Sequence, residues 1–316
     1  MTLPPPPRPL MVEAIAPYHV VPQFMGPGPA QALRDDIDQH FDNPQMAGPQ
    51  HQVWNYCHVP DANTCLQTSP EKVIARERVD LFFNKLRWFS MTCLGMDTVS
   101  WPNLSLYVEG CGQALRNDSR NGAFGYVYSL THWDSRCFKG GETLIFREQD
   151  YWAGDRFREA GDASTFYETI PTRFDELLLF DDRLIHGVPE VRGTNDPRQG
   201  RIVLHGHIQV NGVCIEGPLL PVLQSEGLGL LGEIIEGAQA LAAREPGRYH
   251  GFATCAIEVS PDGRVSAVKP LLQRVLTSGK PQSEVQLLAQ LRNRLLGLRF
   301  EAQAAPSRIT VPVFFE

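Results

Sequence analysis

From Trp101 onward the apolar residues of this chain fall two apart, whereas before it they fall three or four apart. A period of two belongs to strands with one buried face, and a period near 3.6 belongs to helices. Leu104, Leu106 and Val108 alternate, as do Tyr126, Tyr128 and Leu130. Thr143 to Phe146, Glu176 to Phe180 and Arg201 to Val210 are further short strand candidates, with turn signals at Asn121-Gly122 and Gly140-Gly141. Upstream, Leu33, Ile37 and Phe41 predict a helix over 29–41. Ser69-Pro70-Glu71 predicts the start of a second helix, a hydroxyl cap followed by proline in the first turn. It runs to about Phe89, with Val73, Leu81, Phe82 and Leu86 as its apolar face. Two helices followed by many short strands predict a β-sandwich or barrel braced by helices.

After Val210 a Gly-, Pro- and Leu-rich stretch leads to a predicted helix around 225–243. Strands over Gly251–Val259 and Arg264–Leu271 flank a turn at Pro261-Asp262-Gly263. A helix over Ser283–Phe300 carries Leu288, Leu291, Leu295 and Leu298 on one side, and Ile309–Phe315 closes as a strand. This unit reads as a small α+β module of its own. At 316 residues the chain holds one large domain and a small one, divided here as 1–215 and 216–316. Residues 150–168 interrupt the strands with aromatic and charged side chains, as a lid or a surface insertion.

A net charge of −7 without any basic run argues against a nucleic-acid partner. No apolar run reaches membrane-spanning length. The first residues, Met1 to Pro9, lack the apolar stretch of a signal peptide, and their four successive prolines favour an extended leader. A cytoplasmic protein is expected. The seven cysteines form no Cys-x-x-Cys pair, which favours reduced thiols over a disulfide framework or a zinc site.

The candidate chemistry lies after Phe174-Asp175-Glu176-Leu177-Leu178-Leu179-Phe180, a strand that runs into Asp181-Asp182-Arg183-Leu184-Ile185-His186. Arg201 opens the next strand, Arg201-Ile202-Val203-Leu204-His205-Gly206-His207-Ile208. An imidazole suits a metal, and a guanidinium can clamp a carboxylate bidentately. Arg198 competes with Arg201 for the clamp, but it sits in a loop whereas Arg201 begins a strand.

Further landmarks precede these residues: Tyr107-Val108-Glu109-Gly110, Asp118, Gly125 to Asp134, and Gly140-Gly141-Glu142-Thr143-Leu144-Ile145-Phe146. Over about 100–210 the set resembles the prolyl-hydroxylase-like group of Fe(II)/2-oxoglutarate dioxygenases. The resemblance implies an α+β chain with a double-stranded β-helix (jelly-roll) core braced by N-terminal helices, followed by the small α+β C-terminal domain. It also implies Fe(II) held by His-x-Asp plus a distal histidine, and 2-oxoglutarate held through its far carboxylate. Its implied reaction is hydroxylation of a peptide or amino-acid side chain.

Here the His-x-Asp slot reads Arg116-Asn117-Asp118, and arginine does not ligate iron. Two replacements are open. His132-Trp133-Asp134 could itself supply the motif with His186. Alternatively, Arg201, Val203, His205 and His207 share one strand face, so iron would be held by Asp118, His186 and His205, with His207 behind them or as a substitute. A core without iron is the third case. Asp118, His186 and Arg201 are then the expected catalytic residues, and Arg201, Tyr128 and His207 the expected 2-oxoglutarate contacts. Two rival functions follow: a catalytically silent relative that binds a peptide partner, and an iron oxygenase that does not use 2-oxoglutarate. Separately, Gly263-Arg264-Val265-Ser266, Leu298-Arg299-Phe300 and Ile309 to Val313 resemble the C-terminal domain of TonB-type proteins, over about 248–316. That resemblance implies a module that docks a peptide by strand addition.

Overall fold

The computed structural model describes residues 18–42, 53–147, 166–209, 213–219, 249–277 and 283–315, with a few single positions between 232 and 240. The proline leader, almost all of the segment 150–168 and most of the helix expected at 225–243 lie outside the described residues. The chain divides into two compact units, one of 17–87 and 98–210, the other of 1–16, 88–97 and 211–316.

Twelve strands build the sheet of the first unit. They are β1 (Tyr18–Val21), β2 (Asn55–Val59), β3 (Asn63–Thr68), β4 (Thr98–Val99), β5 (Asn103–Tyr107) and β6 (Gly112–Arg116). They continue with β7 (Phe124–Ser129), β8 (Thr143–Phe146), β9 (Tyr167–Ile170), β10 (Leu177–Asp181), β11 (His186–Val188) and β12 (Arg201–Gln209). The pairing of the last eight is nested and antiparallel: β5 with β12, β6 with β11, β7 with β10, β8 with β9. That nesting is what a long hairpin gives when it rolls up, and it defines a jelly roll. The rolled strands form two runs, β10-β7-β12-β5 and β6-β11-β8-β9. β3 joins the runs, pairing with β5 through Leu66–Thr68 and with β6 through Asn63 and Thr64.

β12 is the central strand of the first run, and its register separates two faces. Leu204 lies opposite Leu104 and Tyr128, and Ile202 opposite Leu106. Two helices precede or flank these strands, α1 (Pro27–Asp42) and α2 (Arg76–Phe89), and Phe82 of α2 packs on Tyr128 of this face with ring centroids 4.9 Å apart. Burying such side chains stabilises by about 1.5–3 kcal/mol each. The other face carries Arg201, Val203, His205 and His207, as the alternation predicts.

The second helix departs from expectation. Pro70–Lys72 form only a 3-10 turn, the Ser69 hydroxyl caps nothing, and α2 starts at Arg76. Its cap comes from α1 instead: Asp36 Oδ2 accepts from the Ala75 amide at 2.9 Å. Leu81, placed on the apolar face, is 49 % exposed, while Phe82 and Leu86 are buried.

In the second unit, β13 (Cys214–Glu216), β14 (Tyr249–Val259), β15 (Val265–Thr277) and β16 (Ser307–Phe315) pair in the order β13-β16-β14-β15. The helix α3 (Ser283–Leu296) buries Leu287, Leu291 and Leu295 in a core with Ile257, Val268 and Val311. The strand–turn–strand–helix–strand succession is as expected. Because β13 pairs with the last strand, this unit begins before residue 216.

Candidate functional site

Arg201 is the largest fully buried side chain of the described residues, at 2 % exposure. Its guanidinium lies over the Tyr107 ring, 4.7 Å from the centroid. Its hydrogen bonds go to neutral hydroxyls and are long: Nε donates to Thr172 Oγ1 and one Nη to Thr143 Oγ1, both at 3.4 Å. No carboxylate of the described residues lies within ion-pair distance of it. Burial lowers the Arg201 pKa from its ordinary value, with Tyr107 acting the other way. A buried charge with no counter-ion costs several kcal/mol, so the position calls for an anion. Glycine makes room beside it. Gly141 has φ 78°, and a Cβ there would stand 3.0 Å from the Phe138 ring and 3.4 Å from Arg201 Cδ.

A second cluster forms where β6 meets β11. Arg116 and His186 are cross-strand partners, and Asp118 follows in the loop, its amide donating to the Asp182 carbonyl at 2.8 Å. His186 Nδ1 lies 3.0 Å from the Leu184 carbonyl, which can only accept, so Nδ1 carries a proton. Its Nε2 is thereby aimed at Asp118 Oδ2, 3.3 Å away. Arg116 reaches the same oxygen, from one Nη at 3.1 Å and from Nε at 3.3 Å. With its amide oxygen turned to Arg116, Gln113 accepts from both Nη atoms at 2.7 Å. The neighbouring His186 ring, and then the Arg116 charge, hold the Asp118 carboxyl down at about 2 despite partial burial.

These residues can be tested against the iron centre that the family resemblance implies. A carbonyl-bound Nδ1 that leaves Nε2 facing a carboxylate suits two ligands of one metal. A two-histidine, one-carboxylate centre needs a third donor. Among the described residues no three His, Cys, Asp or Glu side chains are placed to hold an ion. Arg116 fills the slot of the first histidine and lies on the carboxylate. The donors present are two, and they do not fit the three-ligand centre.

His205 and His207 do face the same side as Arg201, but each has another partner. His205 Nε2 is 2.8 Å from Ser105 Oγ, and burial, followed by the Arg201 charge, pushes its pKa down to about 3. The expected third ligand is therefore held by a hydroxyl, and it forms no three-ligand group with Asp118 and His186 among the described residues. His207 Nδ1 is 2.8 Å from Oδ2 of Asp182, which is 0 % exposed. Burial opposes charge on His207, but the Asp182 carboxylate outweighs it and raises the pKa. Asp182 Oδ1 has no hydrogen-bond partner among the described residues.

Two sequence readings are corrected. Tyr128 is no cavity residue: it lies on the helix face of β7, and its hydroxyl donates to Asp175 Oδ1 at 2.9 Å. His132 stacks on Phe174 with centroids 5.0 Å apart, and the Asp134 side chain is 87 % exposed, so that pair does not join His186. Arg198 is half-exposed and pairs with Asp42 and Asp196 in its loop. The residues that sequence reasoning missed are Tyr107, Thr143 and Thr172 around Arg201. Only Tyr107 had a signal, as the inward partner of Arg201 once β5 and β12 are paired.

No family model and no curated protein sequence matches this chain. Among solved structures it is similar to a prolyl hydroxylase from Trichoplax adhaerens in complex with a hypoxia inducible factor peptide (14 % identity, 60 % of this chain and 81 % of that one, TM-score 0.44). It is also similar to a Pseudomonas putida prolyl-4-hydroxylase (12 %, 61 % and 92 %, TM-score 0.41). A viral collagen prolyl hydroxylase of Paramecium Bursaria Chlorella virus-1, solved with 2-oxoglutarate, is a third (14 %, 62 % and 97 %, TM-score 0.38). These likenesses are distant, and the jelly roll rests on the strand pairing itself.

Proposed function

We propose that the first unit captures a small dicarboxylate of the 2-oxoglutarate type inside its jelly roll, with Arg201 clamping one carboxylate. The observation that carries this is the buried guanidinium whose described partners are all neutral. A carboxylate there gains paired, charge-assisted hydrogen bonds, and the Thr143 and Thr172 hydroxyls are placed to share it. Tyr107 packs under the guanidinium and fixes its plane. His205, held neutral, adds no competing charge to the cavity.

A second reading is an iron- and 2-oxoglutarate-dependent oxygenase that hydroxylates a peptide or amino-acid side chain. The facing of His186 Nε2 and Asp118 Oδ2 favours it. It requires a further donor beyond the described side chains. The C-terminal unit, in this proposal, docks a peptide or protein partner along its sheet.

The test is calorimetric titration of the purified protein with 2-oxoglutarate, succinate and pyruvate. The two dicarboxylates are expected to bind, and pyruvate at least tenfold more weakly. Absence of binding by every dicarboxylate refutes the clamp.

A further inference from the structure

We infer that Arg116 stands in for a metal ligand, so that this cavity holds its dicarboxylate without a metal ion. The inference deepens the proposed function and rests on it for the ligand's identity. It is carried by the arrangement around Asp118. The Oδ2 atom, which faces His186 Nε2, already accepts from two nitrogens of the Arg116 guanidinium. Gln113 braces that guanidinium from its other edge. Arg116 is fixed opposite His186 by the β6–β11 register, so its position is set by the sheet and not by a loop.

Arginine offers no lone pair to a cation at any working pH. A divalent ion bridging Asp118 and His186 would also meet its positive charge at close range. The imidazoles that could replace the missing donor are engaged elsewhere, His205 with Ser105 and His207 with Asp182. The charge balance suits an anionic ligand instead. Asp118 compensates Arg116, which leaves the Arg201 charge unbalanced. A carboxylate at Arg201 neutralises this interior with no cation required.

The experiment uses the full chain, as wild type and as Arg116→His, Arg116→Gln and Arg201→Met. Binding of 2-oxoglutarate is measured by calorimetry with EDTA and then with Mn(II). Cobalt(II) uptake is followed by its visible absorption band, and folding by circular dichroism. Wild type is expected to bind 2-oxoglutarate equally, within twofold, in EDTA and Mn(II). It is expected to show no cobalt band at millimolar Co(II). Arg116→His completes a His-x-Asp plus His set and should gain cobalt affinity at least 100-fold over wild type. Arg116→Gln removes the charge without adding a ligand and should gain less than tenfold. Stoichiometric cobalt uptake by wild type, or loss of 2-oxoglutarate binding in EDTA, overturns the inference. So does a folded Arg116→His that takes up no cobalt. If 2-oxoglutarate binds under no condition, the Arg201 reading fails, and the cobalt series still judges Arg116 by itself.

Discussion

Replacing Arg201 by methionine separates two roles of one side chain, because its effects on ligand binding and on stability have opposite signs. In the free protein the guanidinium is nearly fully buried with no carboxylate beside it among the described residues. Exchanging a buried charge for an apolar side chain of similar length recovers several kcal/mol of desolvation. Against this stand the lost contact over Tyr107, about 1–2 kcal/mol when desolvated, and two hydroxyl bonds too long to contribute more than about 0.5 kcal/mol each. The net expectation is a ligand-free protein more stable by about 1–2 kcal/mol, a rise of roughly 2–6 °C in Tm for a unit of this size. The carboxylate loses two charge-assisted bonds, about 3–5 kcal/mol together, so 2-oxoglutarate affinity should fall by about 100-fold to several thousand-fold. Differential scanning calorimetry with and without ligand, beside titration calorimetry, reads both quantities. A variant that melts lower than wild type and binds 2-oxoglutarate equally well would show that Arg201 is a satisfied core residue.

Tyr128→Phe removes one buried hydrogen bond to Asp175 on the helix face; it should cost about 1 kcal/mol in urea unfolding and leave 2-oxoglutarate affinity within twofold. A tenfold loss of affinity would return Tyr128 to the cavity. The His205 ring, depressed to about 3, should keep constant NMR shifts from pH 5 to 8. Its unfolded form takes up a proton near pH 6.5 and the folded form does not, so stability falls as pH drops from about 6.5 towards 3. A His205 midpoint near 6 would contradict its placement. Cys57 and Cys65 are directly opposite on β2 and β3. Opposed antiparallel positions have the Cα spacing that a disulfide needs, so mild peroxide should link these two first. Mass spectrometry finding Cys65 joined to Cys111 instead would refute that pairing.

Much of the fold was legible because its strands obey a period of two and its turns carry glycine. Leu104 and Leu106 pointed to one buried face, and the structure pairs them there with Leu204 and Ile202 of β12. Arg201 was legible from its place at the start of a strand that also carries inward histidines. Tyr128 was misplaced because both faces of β7 are covered: all of its six residues except the half-buried Val127 are buried, so burial alone does not say which side is the cavity. The start of α2 was misplaced because its cap, Asp36, comes from another helix and leaves no local trace at Ser69. Thr143 and Thr172 were invisible for a different reason. They are neutral side chains, brought to Arg201 only by the rolling of separate strands.

The stitching by β3 sets a length scale. One end of this strand is registered against Gly112 and Gln113, the start of the strand that ends in Arg116, and the other against Leu104 to Leu106, beside the partner of Arg201. A slip by one residue would turn every side chain over, so the smallest shift that keeps the faces is two residues, about 6.6 Å. That step exceeds the reach of a few methylene groups. The spacing between Arg201 and the strand that ends in Arg116 is therefore fixed by backbone pairing, in one coarse increment.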